Sequence, residues 1–276
     1  MSKVTMDRVS GMNLHYRYFP METFLGDMKE LGVSAIEIWG GSPHFYLEDR
    51  MPHDVKAYGD KLRSEGFQIV CLTPEQCSYP INIASQEEVI RRRSVAFFKS
   101  YIEAACDLNC PPMLVTTGYG YYDKPTEDPW SYAREALHIL AEYGQRFGVK
   151  LALEVLRTDE SNLVNNLPSL QKMLGEVNHR NLGGMVDTIP MALAGETPGD
   201  YIKALGKDLV HMHFIDGAPW GHLVWGDGVL PLDQYIEQIE TLGYEGYLSL
   251  EITDRKYFME PGKAVERSLN FIKSHL

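Results

Sequence analysis

The stretch Phe147-Gly-Val-Lys-Leu-Ala-Leu-Glu154 indicates the fold, because it joins the end of a predicted helix to a predicted strand. Gly148 stands where a helix would end in a left-handed cap, and the apolar residues after it predict a short buried strand. The same junction recurs at Gly32, Gly66 and Gly243. Each of these turns has a glycine between a predicted helix and a predicted strand, so together they predict a repeated unit of strand and helix.

Repeats of strand and helix fill the sequence. Short apolar runs recur about every 35 residues, separated by amphipathic segments with apolar residues three or four apart. The candidate helices include Glu88 to Asp107, Tyr132 to Phe147 and Leu232 to Leu242. The eight candidate strands are Arg8 to His15, Val33 to Trp39, Phe67 to Thr73, Met113 to Thr117, Lys150 to Glu154, Leu182 to Asp187, Leu209 to Ile215 and Tyr247 to Ile252.

Eight such units in 276 residues favour an α/β fold of the closed (β/α)8 barrel type. A doubly wound open sheet has the same local pattern and is the alternative. No linker rich in proline, glycine or serine interrupts the repeats, so we predict a single barrel domain over residues 1–276. The longest irregular stretches, 40–51, 74–85, 118–128 and 216–229, all follow strands, which places them on the face where a barrel carries its active site.

The chain is acidic, with 26 Lys and Arg residues against 38 Asp and Glu residues and a formal net charge of −12. This charge disfavours nucleic acid and anionic membrane surfaces as partners. No apolar run approaches the ~18 residues of a membrane span, and the first residues lack the pattern of a signal peptide, so we predict a cytoplasmic protein. The cysteines at positions 71, 77, 106 and 110 form no C-x-x-C pair and are expected to stay reduced and structural.

Four late strands end in side chains that bind divalent metals: Glu154, Asp187, His213 and Glu251. One such carboxylate is commonly a helix cap or an ion-pair partner, but capping does not explain the whole set. In a barrel these strand ends converge. Three carboxylates and one imidazole suit Mn²⁺, our first choice, and also Mg²⁺, Co²⁺ or Zn²⁺. His211 faces the same side of its strand as His213, and the spacing alone does not choose between them.

The ordered set Glu154, Asp187, His213 followed by Asp216, and Glu251 resembles the xylose-isomerase-like barrel superfamily. That superfamily includes sugar isomerases, ketose 3-epimerases, inosose dehydratase and endonuclease IV. Five further motifs resemble its fructoselysine 3-epimerase branch and occur in the same order. They are Glu37-Ile-Trp-Gly-Gly-Ser-Pro-His44, Thr73-Pro-Glu75, Tyr79-Pro-Ile-Asn82, Gly226-Asp-Gly-Val-Leu-Pro-Leu232 and Gly243-Tyr-Glu-Gly-Tyr247.

This resemblance implies roles for particular residues. It assigns the metal to His213, with His211 and Asp216 behind the ligands, and a substrate contact to Glu160. It also implies a dimer or tetramer. The chain departs from the epimerases of free ketoses at Pro190, where they carry a histidine, and at Pro219, where they carry an arginine. Both departures suit a differently shaped substrate, such as the fructoselysine that the resemblance implies.

A metal site of this kind suits proton transfer next to a carbonyl. A divalent ion stabilises the developing enediolate of a ketose, and one carboxylate removes the proton. Glu154 and Glu251 are the natural opposed pair of bases. Return of a proton to the opposite face gives 3-epimerisation, and return by the same group to the neighbouring carbon gives isomerisation.

Other polar and aromatic residues of the loops are candidate substrate contacts. Trp39 and His44 can stack on a sugar or exclude water, and Glu75 and Asn82 can hydrogen-bond its hydroxyls. Packing within the loops explains these residues about as well, and Asn82 equally suits a turn.

The sequence therefore predicts a metal-dependent 3-epimerase or isomerase of a ketose or ketose conjugate. A metal-dependent dehydratase of a keto-inositol or related polyol is the alternative, and a sugar-binding barrel without catalysis is a third possibility. An endonuclease is disfavoured by the acidic charge and by Pro190 and Gly226-Asp-Gly228, where the nuclease branch needs additional histidines. No motif for a nucleotide cofactor occurs.

Overall fold

The computed structural model describes residues 3–76, 80–218 and 220–276. Parallel strands alternate with helices along the chain. The barrel strands are β1 (Val9–Met12), β2 (Ala35–Gly40), β3 (Gln68–Pro74), β4 (Pro112–Val115), β5 (Lys150–Glu154), β6 (Leu182–Asp187), β7 (Leu209–His213) and β10 (Leu248–Leu250). They close into a barrel in the order β1-β10-β7-β6-β5-β4-β3-β2. The predicted (β/α)8 barrel is confirmed, and each predicted strand contains or overlaps an observed one.

The helices connect successive barrel strands, and the last helix follows β10. They are α1 (Met21–Glu30), α2 (Pro52–Ser64), α3 (Glu88–Asp107), α4 (Glu127–Phe147), α5 (Leu167–Val177), α6 (Thr188–Leu193), α7 (Pro198–Leu205), α8 (Leu232–Leu242) and α9 (Pro261–Lys273). Gly32, Gly66, Gly148 and Gly243 follow helices with φ values of 71°, 92°, 70° and 73°, which confirms the predicted left-handed turns.

The register of the strands brings three strand ends together. Glu154 at the end of β5 pairs with Met185 of β6, and Asp187 at the end of β6 pairs with His213 at the end of β7. On the other side of β7, His213 pairs with Ser249 of β10, two residues before Glu251. The four residues predicted to bind metal therefore lie at one end of adjacent strands.

Apolar side chains fill the space between strands and helices in one large cluster. A second, small cluster consists of Met12, Leu14, Trp39 and Phe258 and is contributed by β1, β2 and the segments after β1 and β10. This second cluster matters for function, because two of its residues, Leu14 and Trp39, line the cleft described below.

The stretch 216–229 differs from its predicted irregular structure. Asp216–Ala218 (β8) and Trp220–Leu223 (β9) form an antiparallel hairpin. The two strands are three and four residues long, too short for a period of two to show in the sequence. The hairpin carries His222 into the end of the barrel.

Two further expectations concern the cysteines and membranes. Cys71, Cys106 and Cys110 are free thiols, and Cys77 lies outside the described residues. Within the described ranges, no helix combines the length and the apolar character that a membrane crossing requires.

Candidate metal centre and substrate cleft

Glu154, Asp187, His213 and Glu251 converge at the carboxyl ends of β5, β6, β7 and β10. Each offers one ligand atom, and these atoms all lie within 4.8 Å of one another. The first three side chains are buried and Glu251 is partly exposed. We call this set the candidate metal centre, and it contains all four residues that the sequence predicted as metal ligands.

His213 has one ring nitrogen that faces carboxylates without a hydrogen bond. Its Nδ1 lies 3.2 Å from Oε1 of Glu154 and 3.0 Å from Oε2 of Glu251. This nitrogen is buried, yet no described donor or acceptor meets it in hydrogen-bond geometry. A buried nitrogen without a partner is uncommon, and its position among carboxylate oxygens fits that of a metal ligand.

Glu37, at 0% exposure, lies behind His213. Its carboxylate accepts hydrogen bonds from Nε2 of His213 at 3.0 Å, from Nε2 of His211 at 2.7 Å and from the hydroxyl of Thr73. Burial alone would raise the pKa of Glu37, but the imidazoles of His213 and His211 outweigh it and hold the pKa well below its usual value. The sequence did not single out Glu37 for this role, although it begins one of the resembling motifs.

The charges of the candidate metal centre repel one another. Burial, reinforced by the carboxylates of Glu251 and Asp187 and opposed by His213, raises the pKa of Glu154. Burial would lower the pKa of His213, but the carboxylates of Glu251 and Glu37 raise it well above its usual value. Three crowded carboxylates thus need positive charge, which a divalent cation would supply.

His222 is a member of the site that sequence reasoning missed. Its Nε2 donates to Oδ2 of Asp187 at 2.6 Å and lies 3.3 Å from Oε2 of Glu251. Burial would lower the pKa of this imidazole, but Asp187 outweighs burial and raises it. The signal in the sequence was weak: a histidine within an irregular stretch on the face that carries the metal ligands.

A cleft of about 210 Å³ opens onto the candidate metal centre. Trp39, Glu75 and Glu160, three of the predicted substrate contacts, line it. Trp39 packs tightly against the backbone, since a Cβ on Gly41 would come within 2.0 Å of its ring. The indole Nε1 donates to Oε2 of Glu75 at 2.7 Å.

Glu160 enters the cleft together with Arg157. Its Oε1 accepts from the Arg157 guanidinium at 2.9 Å, and its Oε2 accepts from the Arg157 backbone N–H at 3.2 Å. Burial raises the pKa of Glu160 against the opposing charge of Arg157. The pair puts both an acceptor and a donor within reach of a polar ligand.

Two other predicted substrate contacts do not line the cleft. His44 is bonded through Nδ1 to Asn13 at 3.0 Å and through Nε2 to the Phe19 carbonyl at 2.8 Å. Asn82 bonds the backbone of Ala84 and of Tyr119. Both side chains hold loops together, because the polar backbone of a buried loop must find partners.

Asp216 was expected behind the metal ligands, but its carboxylate contacts the backbone of its own loop instead. It accepts from the backbone N–H groups of Gly217, Gly226, Gly228 and Leu230, at 2.8 to 3.0 Å. His211, by contrast, is linked to His213 through Glu37. Pro190 lines the cleft, whereas Pro219 and Tyr79 lie outside the described residues.

The sequence profile described as the xylose isomerase-like TIM barrel matches residues 25–275. The chain belongs to this family. A fructoselysine 3-epimerase of Shigella flexneri is 32% identical over 95% of both chains. The family resemblance drawn from the strand-end residues is therefore confirmed.

Two further proteins are similar at lower identity. A D-psicose 3-epimerase of Ruminiclostridium cellulolyticum is 24% identical over 86% of this chain and 82% of its own length. A crystal structure of D-psicose 3-epimerase with D-tagatose from Clostridium cellulolyticum H10 matches with a TM-score of 0.81 at 19% identity, covering 97% of this chain and 99% of that chain. At that identity the match shows the shared barrel.

Proposed function

We propose that this chain is a divalent-metal-dependent 3-epimerase of a ketose or a ketose conjugate of the fructoselysine type. It is an enzyme of the sugar isomerase and epimerase class, as its family and its relatives indicate. The 3-epimerisation, its catalytic residues, its metal and its substrate are our proposal.

The main support for the proposal is that Glu154 and Glu251 lie around the same atom, Nδ1 of His213. A carboxylate oxygen of each lies within 3.2 Å of the same nitrogen, Nδ1 of His213. The strands that they follow, β5 and β10, are separated in the barrel by β6 and β7. A sugar carbon bound between the two carboxylates would face one base on each side.

Two opposed bases suit inversion of a carbon centre. One glutamate takes the C3 proton on its carboxylate, and the other, as a carboxylic acid, delivers a proton to the opposite face. In the reverse reaction the two glutamates exchange roles.

The candidate metal centre would hold the divalent ion through Glu154, Asp187, His213 and Glu251. When bound, the ion supplies a Lewis acid that stabilises negative charge on the sugar oxygens. Three carboxylates with one imidazole favour a hard or borderline cation, and we propose Mn²⁺. Asp187, which also accepts from His222, and His213, which is held by Glu37, mainly position this ion.

The proposed substrate is inferred from the name of a similar protein and from the residues that line the cleft. The relative that is 32% identical over 95% of both chains is named for fructoselysine. Pro190 lines the cleft in place of the histidine that the resemblance assigns to epimerases of free ketoses. Trp39, Glu75 and Glu160 line the same cleft and would contact the sugar or its substituent.

Proton NMR in D₂O tests the reaction. The manganese-loaded protein would be incubated with fructoselysine, with psicoselysine and with free ketoses, and deuterium would be followed at each carbon next to the carbonyl. We expect deuterium at C3 together with the C3 epimer. Exchange at C1 with an aldose product would instead mean isomerisation, and loss of water would mean dehydration; either result overturns the proposal.

Glu154→Gln and Glu251→Gln test the two bases. Each removes a base and a charged ligand, so we expect turnover to fall by several orders of magnitude with the fold retained. Glu266→Gln is the matched control, because Glu266 is exposed on α9, and it should keep full activity. Near-normal turnover in either of the first two variants would rule out the two-base scheme.

A further inference from the structure

We propose that Arg17, Trp39 and Glu75 form a subsite for the α-amino acid group of a ketose conjugate. The proposal rests on the proposed function, because it concerns the part of the same substrate that does not react. Arg17 follows the short 3-10 helix Leu14–Tyr16 beyond β1. It lines the same cleft as the candidate metal centre, so one ligand can reach both.

The Arg17 guanidinium lies against two aromatic rings. Its central carbon is 5.0 Å from the ring centroid of Trp39 and 5.2 Å from that of Phe258. Both rings are buried, at 4% and 5% exposure. Stacking occupies the faces of a guanidinium and leaves the N–H groups at its edges free for a planar anion.

Arg17 has no ion-pair partner within the described ranges, and its buried Nε lacks a hydrogen bond there. The other arginine of the cleft, Arg157, is paired with Glu160 at 2.9 Å and with Asp159 at 3.3 Å. A buried guanidinium nitrogen without a partner is uncommon, because buried polar groups are normally hydrogen-bonded. The partner of Arg17 is therefore expected to come with the ligand.

Glu75 contacts the same indole from its edge. The Trp39 Nε1 donates to Oε2 of Glu75 at 2.7 Å, and this is the one hydrogen bond of the Glu75 side chain in the part of the chain that the structure describes. The Trp39 ring thus joins a group that binds anions, the guanidinium of Arg17, to a group that binds cations, the carboxylate of Glu75.

This pair of charges selects one class of ligand. A carboxylate of the ligand can accept two hydrogen bonds from the Arg17 guanidinium, and an ammonium group of the ligand can pair with the Glu75 carboxylate. An α-amino acid carries both groups on one carbon, as the lysine end of fructoselysine does. A sugar phosphate would use Arg17 but would bring its negative charge towards Glu75, and a free ketose would use neither group.

Steady-state kinetics of the manganese-loaded protein with four ketoses tests the subsite. The substrates are fructoselysine, its analogue with a pentylamine in place of lysine, fructose 6-phosphate and fructose. For Arg17→Gln we expect KM for fructoselysine to rise about 10- to 100-fold with kcat within about twofold, since a charge-assisted contact is lost. KM for the pentylamine analogue and for fructose should stay within about twofold.

Three variants complete the design. Glu75→Gln should raise KM for fructoselysine alone, and by a smaller factor than Arg17→Gln does, because the amide oxygen can still accept the hydrogen bond from Trp39. Arg17→Lys should keep part of the affinity for fructoselysine that Arg17→Gln loses. Lysine has the positive charge but cannot donate two parallel hydrogen bonds to a carboxylate as arginine does. Arg92→Gln is the control, because the Arg92 side chain is 79% exposed on α3, and it should change nothing.

Titration calorimetry with the same ligands separates this proposal from the proposed function, because binding needs no turnover. Weaker binding of fructoselysine alone to Arg17→Gln supports the subsite, even if the wild-type protein exchanges no C3 proton and the 3-epimerase proposal fails. If Arg17→Gln binds all four ligands more weakly by the same factor, the subsite proposal is wrong. It is also wrong if only fructose 6-phosphate binds more weakly, or if the affinity for every ligand is unchanged.

Discussion

Glu37 connects β2 to the candidate metal centre through a single carboxylate. It accepts from Nε2 of both His213 and His211, so it turns Nδ1 of His213 towards the other three members of the centre. A carboxylate behind a ligating histidine fixes the ring and increases its basicity. The position of Nδ1 therefore depends on a residue that would not itself touch the metal.

Glu37→Gln should weaken manganese binding about 10- to 100-fold, which is the usual effect of losing such a partner. The amide keeps the size of the side chain, but it cannot accept from His213 and His211 with two charged oxygens. The free Mn²⁺ signal in electron paramagnetic resonance measures the Kd directly. Glu266→Gln should bind manganese as the wild type does. An unchanged Kd in Glu37→Gln would show that Glu37 does not hold His213.

At the scale of elements, Asp216 organises the segment that follows β7. Its two oxygens accept four backbone N–H groups between Gly217 and Leu230. Gly228 allows this close approach, since a Cβ there would lie 2.3 Å from Oδ1 of Asp216. The hairpin that carries His222 is therefore anchored by one carboxylate.

Asp216→Asn should loosen this segment. An amide presents N–H groups to donors, so at least one charged hydrogen bond is lost, worth about 1.5–3 kcal/mol. Hydrogen exchange at Gly226, Gly228 and Leu230 should then quicken about 10- to 100-fold. Asp123→Asn, at a side chain 80% exposed, is the control and should leave these amides unchanged. Unaltered exchange in Asp216→Asn would contradict the anchoring role.

The elements were predictable because their signals are local. Each strand is a short apolar run and the four predicted helix-to-strand turns each have a glycine with positive φ, so the barrel and the meeting of strand ends followed from the sequence. His222 and Arg17 could not be found this way, since they come from a hairpin and a turn without periodicity. The orientation of His44 and Asn82 was not predictable either, since both side chains bond backbone groups that are distant in the sequence.

For the whole molecule, the candidate metal centre links folding to metal binding. Three carboxylates held within 4.8 Å of one another and of an imidazole oppose folding until a cation balances their charge. Manganese at about 100 times its Kd should add about 2.7 kcal/mol to the free energy of unfolding. For a chain of this size we expect a rise in Tm of about 5–10 °C over the EDTA-treated protein.

Thermal unfolding followed by circular dichroism measures this rise. Glu154→Gln should lose most of the response to manganese, whereas Glu266→Gln should keep it. If the Tm of the wild type is the same with manganese and with EDTA, the centre does not bind this metal in the folded state.

The acid stability of the molecule depends on a buried group outside the candidate metal centre, His15. It is fully buried, and neither ring nitrogen has a hydrogen-bond partner within the described residues. Burial lowers the pKa of His15 from 6.5 to about 3. Between these two values the unfolded chain binds a proton that the folded chain does not, so stability falls as the pH falls.

His15→Leu should remove this dependence. The free energy of unfolding of the variant, relative to the wild type, should increase by about 1.4 kcal/mol for each pH unit below 6.5. Urea unfolding at pH 7.5, 6.5, 5.5 and 4.5 gives these values from the transition midpoints, provided that the slopes agree. His275→Leu is the control, since His275 is exposed on the last turn of the chain, and its curve should run parallel to the wild type. Parallel curves for His15→Leu and the wild type would mean that the His15 imidazole finds a partner for its proton in the folded chain, and the acid sensitivity would then have to arise elsewhere.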